Sequence, residues 1–294
     1  MLLYTYNTIL RESGPINAID LSQGKIVSTD CFSLTINDGT SILVPQGTFI
    51  QLEDRVKKIE KNEESCFYGT RSKYKLKYPT IDFVSEIVDP YIMGLAFCTP
   101  VRNNTLQTKK ITKVDLKKIP KEYYSLRLRE MSCDYFELAP DEDSPNLLRL
   151  DVKKHKQFAS LKLRQIPDEF LFTRKEDREL LLRGCMDIFG KCYRGETTFE
   201  CSSEQLAKDI SFLVKSLHGF AKIRVKEGKA PYYIVSISFD SSFNPFLLKA
   251  NTFKPSKKPR VRCIEHITYV GKRPCVNIPV NSVKLDSWVE LIDQ

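Results

Sequence analysis

From Thr173 to Phe239 the hydrophobic pattern switches repeatedly between helix and strand period, and that alternation constrains the fold more than any other feature. Thr173 and Glu176 form a capping-box pattern ahead of an apolar run, LLLRGCMDIFG, predicting a helix to about Asp187. KCYRGETTFECS follows and reads as a hairpin turning at Arg194 and Gly195. Ser202 and Gln205 repeat the capping pattern before a helix whose Leu206, Ile210, Leu213 and Leu217 form one stripe, closed by Gly219. AKIRVKEGKAPYYIVSISF then reads as a second hairpin, turning near Gly228. Helix, two strands, helix, two strands is an α+β order.

The flanks differ. Residues 1 to 78 read as short strands, with turn signals in INDGT and VPQGT, and predict an all-β region. The basic stretch RVKKIEKNEE and the polar YGTRSKYKLKYP read as an exposed connection. In DPYIMGLAFCTP, Asp89 caps a short buried helix, Pro90 suits its first turn, and Cys98, Thr99 and Pro100 end it. Residues 101 to 165 mix basic strand-like pieces with the loop PDEDSPN, whose Asp141, Glu142 and Asp143 read as solvated. The linker FKPSKKP marks a boundary near residue 257, and RVRCIEHITYVGKRPCVNIPV returns to strand, turn and strand.

A chain of 294 residues, 41% apolar and 11% aromatic, has enough apolar side chains for two cores. No apolar run approaches the ~20 residues a membrane-spanning helix needs, and MLLYTYNTILRESG lacks a basic leader region. A soluble, intracellular, unsecreted protein without membrane contact is expected. The nine cysteines are an odd number with no CxxC pair, which argues for reduced thiols. Cys185, Cys192 and Cys201 match no common metal spacing, and His155, His218 and His266 are far apart in sequence, so neither a metal nor a cofactor is expected.

The net charge of +9 is a nucleic-acid-like balance, and its placement is more informative than its size. Basic and apolar residues alternate at Arg127 and Arg129, at Lys162 and Arg164, at Lys222, Arg224 and Lys226, and at Arg260 and Arg262. On a strand, residues i and i+2 share a face, so each stretch presents a basic face and an apolar one. Composition alone leaves a solvated sheet face and a phosphate-tracking surface equally open.

LLLRGCMDIFG resembles a LAGLIDADG helix, usually written LxGLMDTDG, and DPYIMGLAFCTP resembles the first of such a pair. GPINAIDLSQGKIV with LTINDGTSILVPQGTFIQL is similar to the N-terminal half of an intein (Hint) domain, and RVRCIEHITYVGKRPCVNIPVNS to the C-terminal half. IPDEFL and SSEQLAKDISFLVKSLHGFAKIR extend the likeness, toward inteins of phage terminase and helicase hosts. The resemblance implies a pseudo-symmetric, two-half LAGLIDADG domain of αββαββα-like repeats inserted in a split all-β Hint-like domain. The implied limits are 1–78, 79–257 (halves about 79–165 and 166–257) and 258–294. In that family the paired helices pack closely, a role that falls on Gly94 and Gly184, and each half lays a sheet along DNA.

The departures bear on activity. The family's metal-binding acids align with Thr99 and Phe189, and neither replaces a carboxylate. Asp187 lies two residues earlier, ~200° around the helix. The splicing positions read Met1, Gly47 and Asp293-Gln294, which lack the required nucleophiles and histidine, and Cys31 and Cys263 read as structural thiols. The resemblance therefore implies a catalytically silent relative of phage or mobile-element type that binds duplex DNA. Its contacts would be Arg127, Arg129, Lys162, Arg164, Lys222, Arg224 and Lys226, with Arg260 and Arg262 from the β domain. The alternative is a non-enzymatic subunit or adaptor with a protein partner in a viral packaging, replication or transcription assembly. An RNA-binding, maturase-like factor and a nuclease with relocated acids (Asp187 with Glu130 or Asp134) rank below these.

Overall fold

The computed structural model describes residues 1–22, 24–60, 74–81, 83–85, 90–98, 165–193, 196–228, 230–240, 242–247, 250, 253–255 and 259–292. Of 65–66, 101–102, 105–107, 138–141 and 144–151 it describes the backbone, as it does for Ile92 and Ala96. The chain divides into two compact units, one of Met1–Val84 with Arg260–Gln294 and one of Ser85–Pro259. The divisions thus fall after Val84 and Pro259, against the expected 78 and 257.

In chain order the first segment forms β1 (Leu2–Tyr4), β2 (Thr8–Arg11), β3 (Gly14–Asn17), a 3-10 turn (Ala18–Leu21), β4 (Ile26–Ile36), β5 (Ser41–Pro45), β6 (Phe49–Gln51), β7 (Val56–Lys58) and β8 (Ser65–Cys66). The middle forms α1 (Pro90–Cys98), β9 (Val101–Arg102), β10 (Thr105–Gln107), β11 (Leu138–Asp141), β12 (Ser144–Asp151), α2 (Asp168–Leu171), α3 (Lys175–Phe189), β13 (Gly190–Tyr193), β14 (Glu196–Cys201), α4 (Glu204–Ser216), β15 (Phe220–Lys226) and β16 (Tyr232–Ser238). The last segment adds β17 (Ile264–Asn277), β18 (Ser282–Leu285) and β19 (Glu290–Ile292).

The first unit is all-β, with sheets ordered β1-β17-β4-β5 and β3-β2-β18-β19-β6-β7, and β8 beside β17. Each sheet contains strands from both ends of the chain, β17 between β1 and β4 in one and β18-β19 between β2 and β6 in the other, so neither segment forms a sheet edge to edge by itself. Between them lies a core that includes Leu3, Phe32, Leu34, Ile36, Ile50, Ile264, Val276 and Leu291. Gly39, at φ +89°, takes the left-handed position of the β4–β5 turn, where Asp38 Oδ1 accepts the Thr40 amide at 2.8 Å. The same Asp38 faces Arg262, and both side chains are fully buried at 2.7 Å. Arg262 also donates to the Trp288 and Ser287 carbonyls at 2.8 and 2.9 Å, so its charge is satisfied inside the unit.

The second unit carries two antiparallel four-stranded sheets, β11-β12-β10-β9 and β13-β14-β16-β15. In the latter, α4 packs on β14, β15 and β16 while α3 packs on β13 and β14. Helix α4 shows why this holds: Leu206, Ile210, Leu213 and Val214 fall on one stripe, and all are buried in the core of the unit. Three boundary expectations are corrected. Helix α3 begins at Lys175 and runs to Phe189, past Asp187, and Thr173 does not cap it, because its buried hydroxyl donates to the Phe170 carbonyl. Helix α4 is capped by Ser203, whose Oγ accepts the Leu206 amide at 3.2 Å, and not by Ser202. The left-handed residue after α4 is His218, at φ 61°, while Gly219 leaves room for the Phe239 ring, which any Cβ there would strike.

Among the described residues no helix is long and apolar enough to cross a membrane.

Candidate nucleic-acid interface

The centre of the second unit is the crossing of α1 and α3. Gly94 and Gly184 meet there: a Cβ on Gly94 would strike the Leu181 carbonyl oxygen and reach within 3.0 Å of the Gly184 Cα. A Cβ on Gly184 would strike the Tyr91 carbonyl oxygen in turn. Backbones this close bury helix against helix with no side chain between them, which is what two glycines at one crossing allow.

Asp187 sits one turn beyond Gly184 and is fully buried. Its Oδ2 accepts the Tyr91 hydroxyl at 2.8 Å and the Leu247 amide at 3.2 Å. Those bonds compensate a buried carboxylate and hold α3 to α1 and to the segment after β16. Two residues on, Phe189 packs edge-on against Phe199 of β14, with ring centroids 5.7 Å apart and planes at 86°. The position that the family resemblance assigns to an acid is thus aromatic packing, and Thr99 lies outside the described residues. Among the described residues no group of three or more His, Cys, Asp or Glu is placed to hold a metal ion. Glu142 and Asp143 of the acidic loop, and Glu130 and Asp134, lie outside them.

The sheet β13-β14-β16-β15 turns its other face away from the helices. Register decides which residues share that face: Lys191, Thr198, Ser236 and Lys222 form one cross-strand row, and Glu200, Ile234 and Arg224 the next. Tyr232 and Lys226 pair beyond them. Arg224 and Lys226 are exposed and Lys222 is half-buried. The face is not purely basic. Lys191 Nζ lies 2.6 Å from Glu200 Oε2, and the Arg224 guanidinium bonds Ser236 Oγ at 2.6 Å and lies 3.6 Å from Glu196. Burial, with the Glu200 carboxylate beside it, raises the Tyr232 phenol above its ordinary value. Chemically the face is a hydrogen-bonding surface with cations along its β15 edge.

The other sequence-derived contacts divide. Arg127, Arg129, Lys162 and Arg164 lie outside the described residues. Arg260 is exposed in the β unit. Arg262 is corrected: fully buried on Asp38, it cannot reach a phosphate. The i, i+2 rule placed Arg260 and Arg262 on one strand face, but both precede β17, where that rule has no force. Sequence reasoning passed over Glu196 and Glu200, whose alternation in ETTFEC was visible but whose strand neighbours were not. Tyr91, the partner of Asp187, carried no signal.

No family model and no curated protein matches the chain. Solved structures with backbone similarity include I-DmoI in complex with DNA and Mn (13% identity, TM-score 0.35, covering 51% of this chain and 89% of that one) and with DNA and Ca (13%, 0.35, 52% and 83%). Mesophilic variants of the homing endonuclease I-DmoI align similarly (12%, 0.35, 52% and 88%). At TM-scores this low the likeness carries no argument about family or activity.

Proposed function

We propose that the chain is a catalytically silent, LAGLIDADG-like protein that binds duplex DNA, carried in a split Hint-like β unit. The observation that carries the binding half of this reading is the open face of β13-β14-β16-β15, where Lys222, Arg224 and Lys226 recur at alternate positions along one strand. A twisted antiparallel ribbon with such an edge fits the major groove, where cations neutralise phosphates and the polar side chains beside them reach base edges. Silence is supported by the use of Asp187 and Phe189 in packing, since a carboxylate that holds two donors in the core is not presented to a metal. The β unit supports the Hint-like part through C-terminal strands inserted between N-terminal ones in both sheets.

The test is retention of a mixed pool of duplex fragments across a salt series with magnesium present, scoring binding and cleavage together. Salt-dependent retention of intact DNA is expected. Replacing Lys222, Arg224 and Lys226 with Gln together should lower the salt slope by up to ~2.7, about 0.9 for each phosphate no longer neutralised. Equal retention by the variant would refute the interface, and magnesium-dependent strand breaks would refute the silence.

A further inference from the structure

The turn between β2 and β3 carries the chain away from β18 before those two strands have finished pairing. Their ladder joins Ile9 with Leu285 and Leu10 with Lys284 and stops there, although β18 begins at Ser282. Bonds on either side fix the direction of the backbone groups left over. The Asp286 amide donates to Thr8 O at 3.0 Å, toward β2, and the Leu285 amide to Val289 O at 2.8 Å, toward β19. Amides alternate along a strand, so Ser282 directs its N–H and C=O toward the β2 side, beyond the last pair.

A cleft of about 540 Å³ opens at this point, within the ~300–1,000 Å³ range of ligand pockets. Residues 9–13 and 282–284 line it without a break, joined by Leu21, Thr80, Ile81 and Val280. A groove on one face of a sheet is lined by alternate residues of each strand, because i and i+1 point to opposite faces. Consecutive lining means that this cleft enters between the strands, with backbone as well as side chains for walls. The side chains divide by parity: Leu10 and Lys284 share one face, while Ile9, Arg11 and Val283 belong to the other. The Lys284 Nζ donates to Thr80 O. Arg11 and Glu12 are exposed, and neither forms an ion pair among the described residues.

An edge-on cleft beside an interrupted ladder selects its occupant. Another extended backbone satisfies the Ser282 groups at strand spacing, whereas an apolar ligand would desolvate them without a partner. We infer that the cleft takes an extended segment of a partner protein as an added strand along Ser282, with an acidic side chain toward Arg11 and apolar side chains on the face of Leu10. This site lies wholly in the β unit and is separate from the duplex surface proposed for the other one.

The experiment is fluorescence anisotropy of the full chain with the labelled, C-terminally amidated peptide Thr-Val-Glu-Val-Thr, whose valines and glutamate alternate as the cleft requires. Saturable binding is expected. N-methylation of the peptide amides should weaken it about tenfold, and Ser282→Pro by a similar factor, since both remove backbone donors of the added ladder. The Ser282 amide points away from β19, so the Pro variant keeps the β18–β19 bonds, and an unchanged Tm verifies that it is folded; the methylated peptide makes the same test on the unaltered protein. Exchanging Glu for Gln in the peptide, or Arg11→Gln in the protein, should each weaken binding about threefold, and the two together no further. Absence of binding at millimolar peptide overturns the inference. So does binding indifferent to both N-methylation and Ser282→Pro, or displacement of the peptide by equimolar octanoate, which would mark a pocket for apolar tails. Duplex retention plays no part in these readouts, so failure of the duplex reading leaves them intact.

Discussion

Cys31 Sγ lies 3.6 Å from Cys275 Sγ, although the strand ladder pairs Cys31 with Gly271 and Cys275 with Val27. Four residues of straight strand would separate the two thiols by ~13 Å. The β4–β17 ribbon therefore folds sharply over this stretch and brings its inner side chains together. The ladder slips between Tyr269 and Gly271, and Gly271 sits at φ +80°, so a bulge and a left-handed glycine mark one end of the bend.

The inside of that bend excludes solvent. Both thiols are fully buried; burial pushes Cys31 up and Cys275 to about 12, the latter helped by its contact with Cys31. The reactive thiolate is thereby suppressed at both. Iodoacetamide at pH 8 should label the half-exposed Cys192 and leave Cys31 and Cys275 unmodified until denaturant opens the unit, as peptide mass mapping would record. Rapid native labelling at Cys275 would mean that the ribbon opens locally.

The helix crossing gives a prediction whose sign is set by packing. In an isolated helix Gly→Ala gains about 1 kcal/mol from propensity. At Gly94 or Gly184 the added methyl meets the facing helix's backbone, which cannot rotate away. Each substitution should instead lower stability by ~1–3 kcal/mol, the usual cost of overpacking, and the two together should fall short of their sum because one separation of the helices relieves both. Urea titration of the single and double variants measures this.

Arg262 and Asp38 test what a fully buried pair contributes. Removing either partner, as in Arg262→Ala or Asp38→Ala, leaves the other charge buried and should cost ~3–5 kcal/mol by chemical denaturation. The paired change to Leu should recover part of that loss. Full recovery is not expected, because the Trp288 and Ser287 carbonyls lose their donor.

How far these features could be read in the sequence follows the range of the forces involved. The alternation of α3, β13–β14, α4 and β15–β16 was legible because period 3.6 and period 2 are local signals, and Gly184 stood out inside an apolar run. Caps were legible only to within a residue: Ser202 and Ser203 offer the same hydroxyl, and tertiary geometry chose Ser203. Arg262 was misjudged because its environment is made by Asp38, 224 residues away in sequence. Glu196 and Glu200 temper the basic face through cross-strand register, which no single strand discloses.

Asp209 makes the stability of the second unit depend on pH. Its carboxylate accepts the Ile166 amide at 2.7 Å and the Gln205 side chain at 2.8 Å, tying α4 to the segment before α2. Burial nevertheless raises it from 3.8 to about 6, outweighing those two bonds. A carboxyl raised on folding binds its proton more tightly in the folded state, so stability falls as pH climbs from about 4 through 6 and is lowest above that. A rise of that size corresponds to at most ~3 kcal/mol. Asp209→Asn, which keeps an oxygen for Ile166, should be favoured relative to the parent by a margin that shrinks toward pH 4.5. A margin that stays flat between pH 4.5 and 7.5 in urea titrations would refute the proposed titration.

The last prediction separates a packing carboxylate from a relocated catalytic one. Asp187→Asn keeps one side-chain oxygen where Oδ2 accepts both the Tyr91 hydroxyl and the Leu247 amide but weakens both bonds by removing the carboxylate, so it should lower stability by ~1–3 kcal/mol. The residue faces the core, not the open sheet, and duplex retention by the folded variant should match the parent at every salt concentration. Phe189→Leu, which gives up the edge-on contact with Phe199, should behave in the same way at smaller cost. If the parent nicks duplex DNA with magnesium and Asp187→Asn abolishes the nicking without unfolding the protein, Asp187 has a role beyond packing, and the silent reading of the helix pair fails with it.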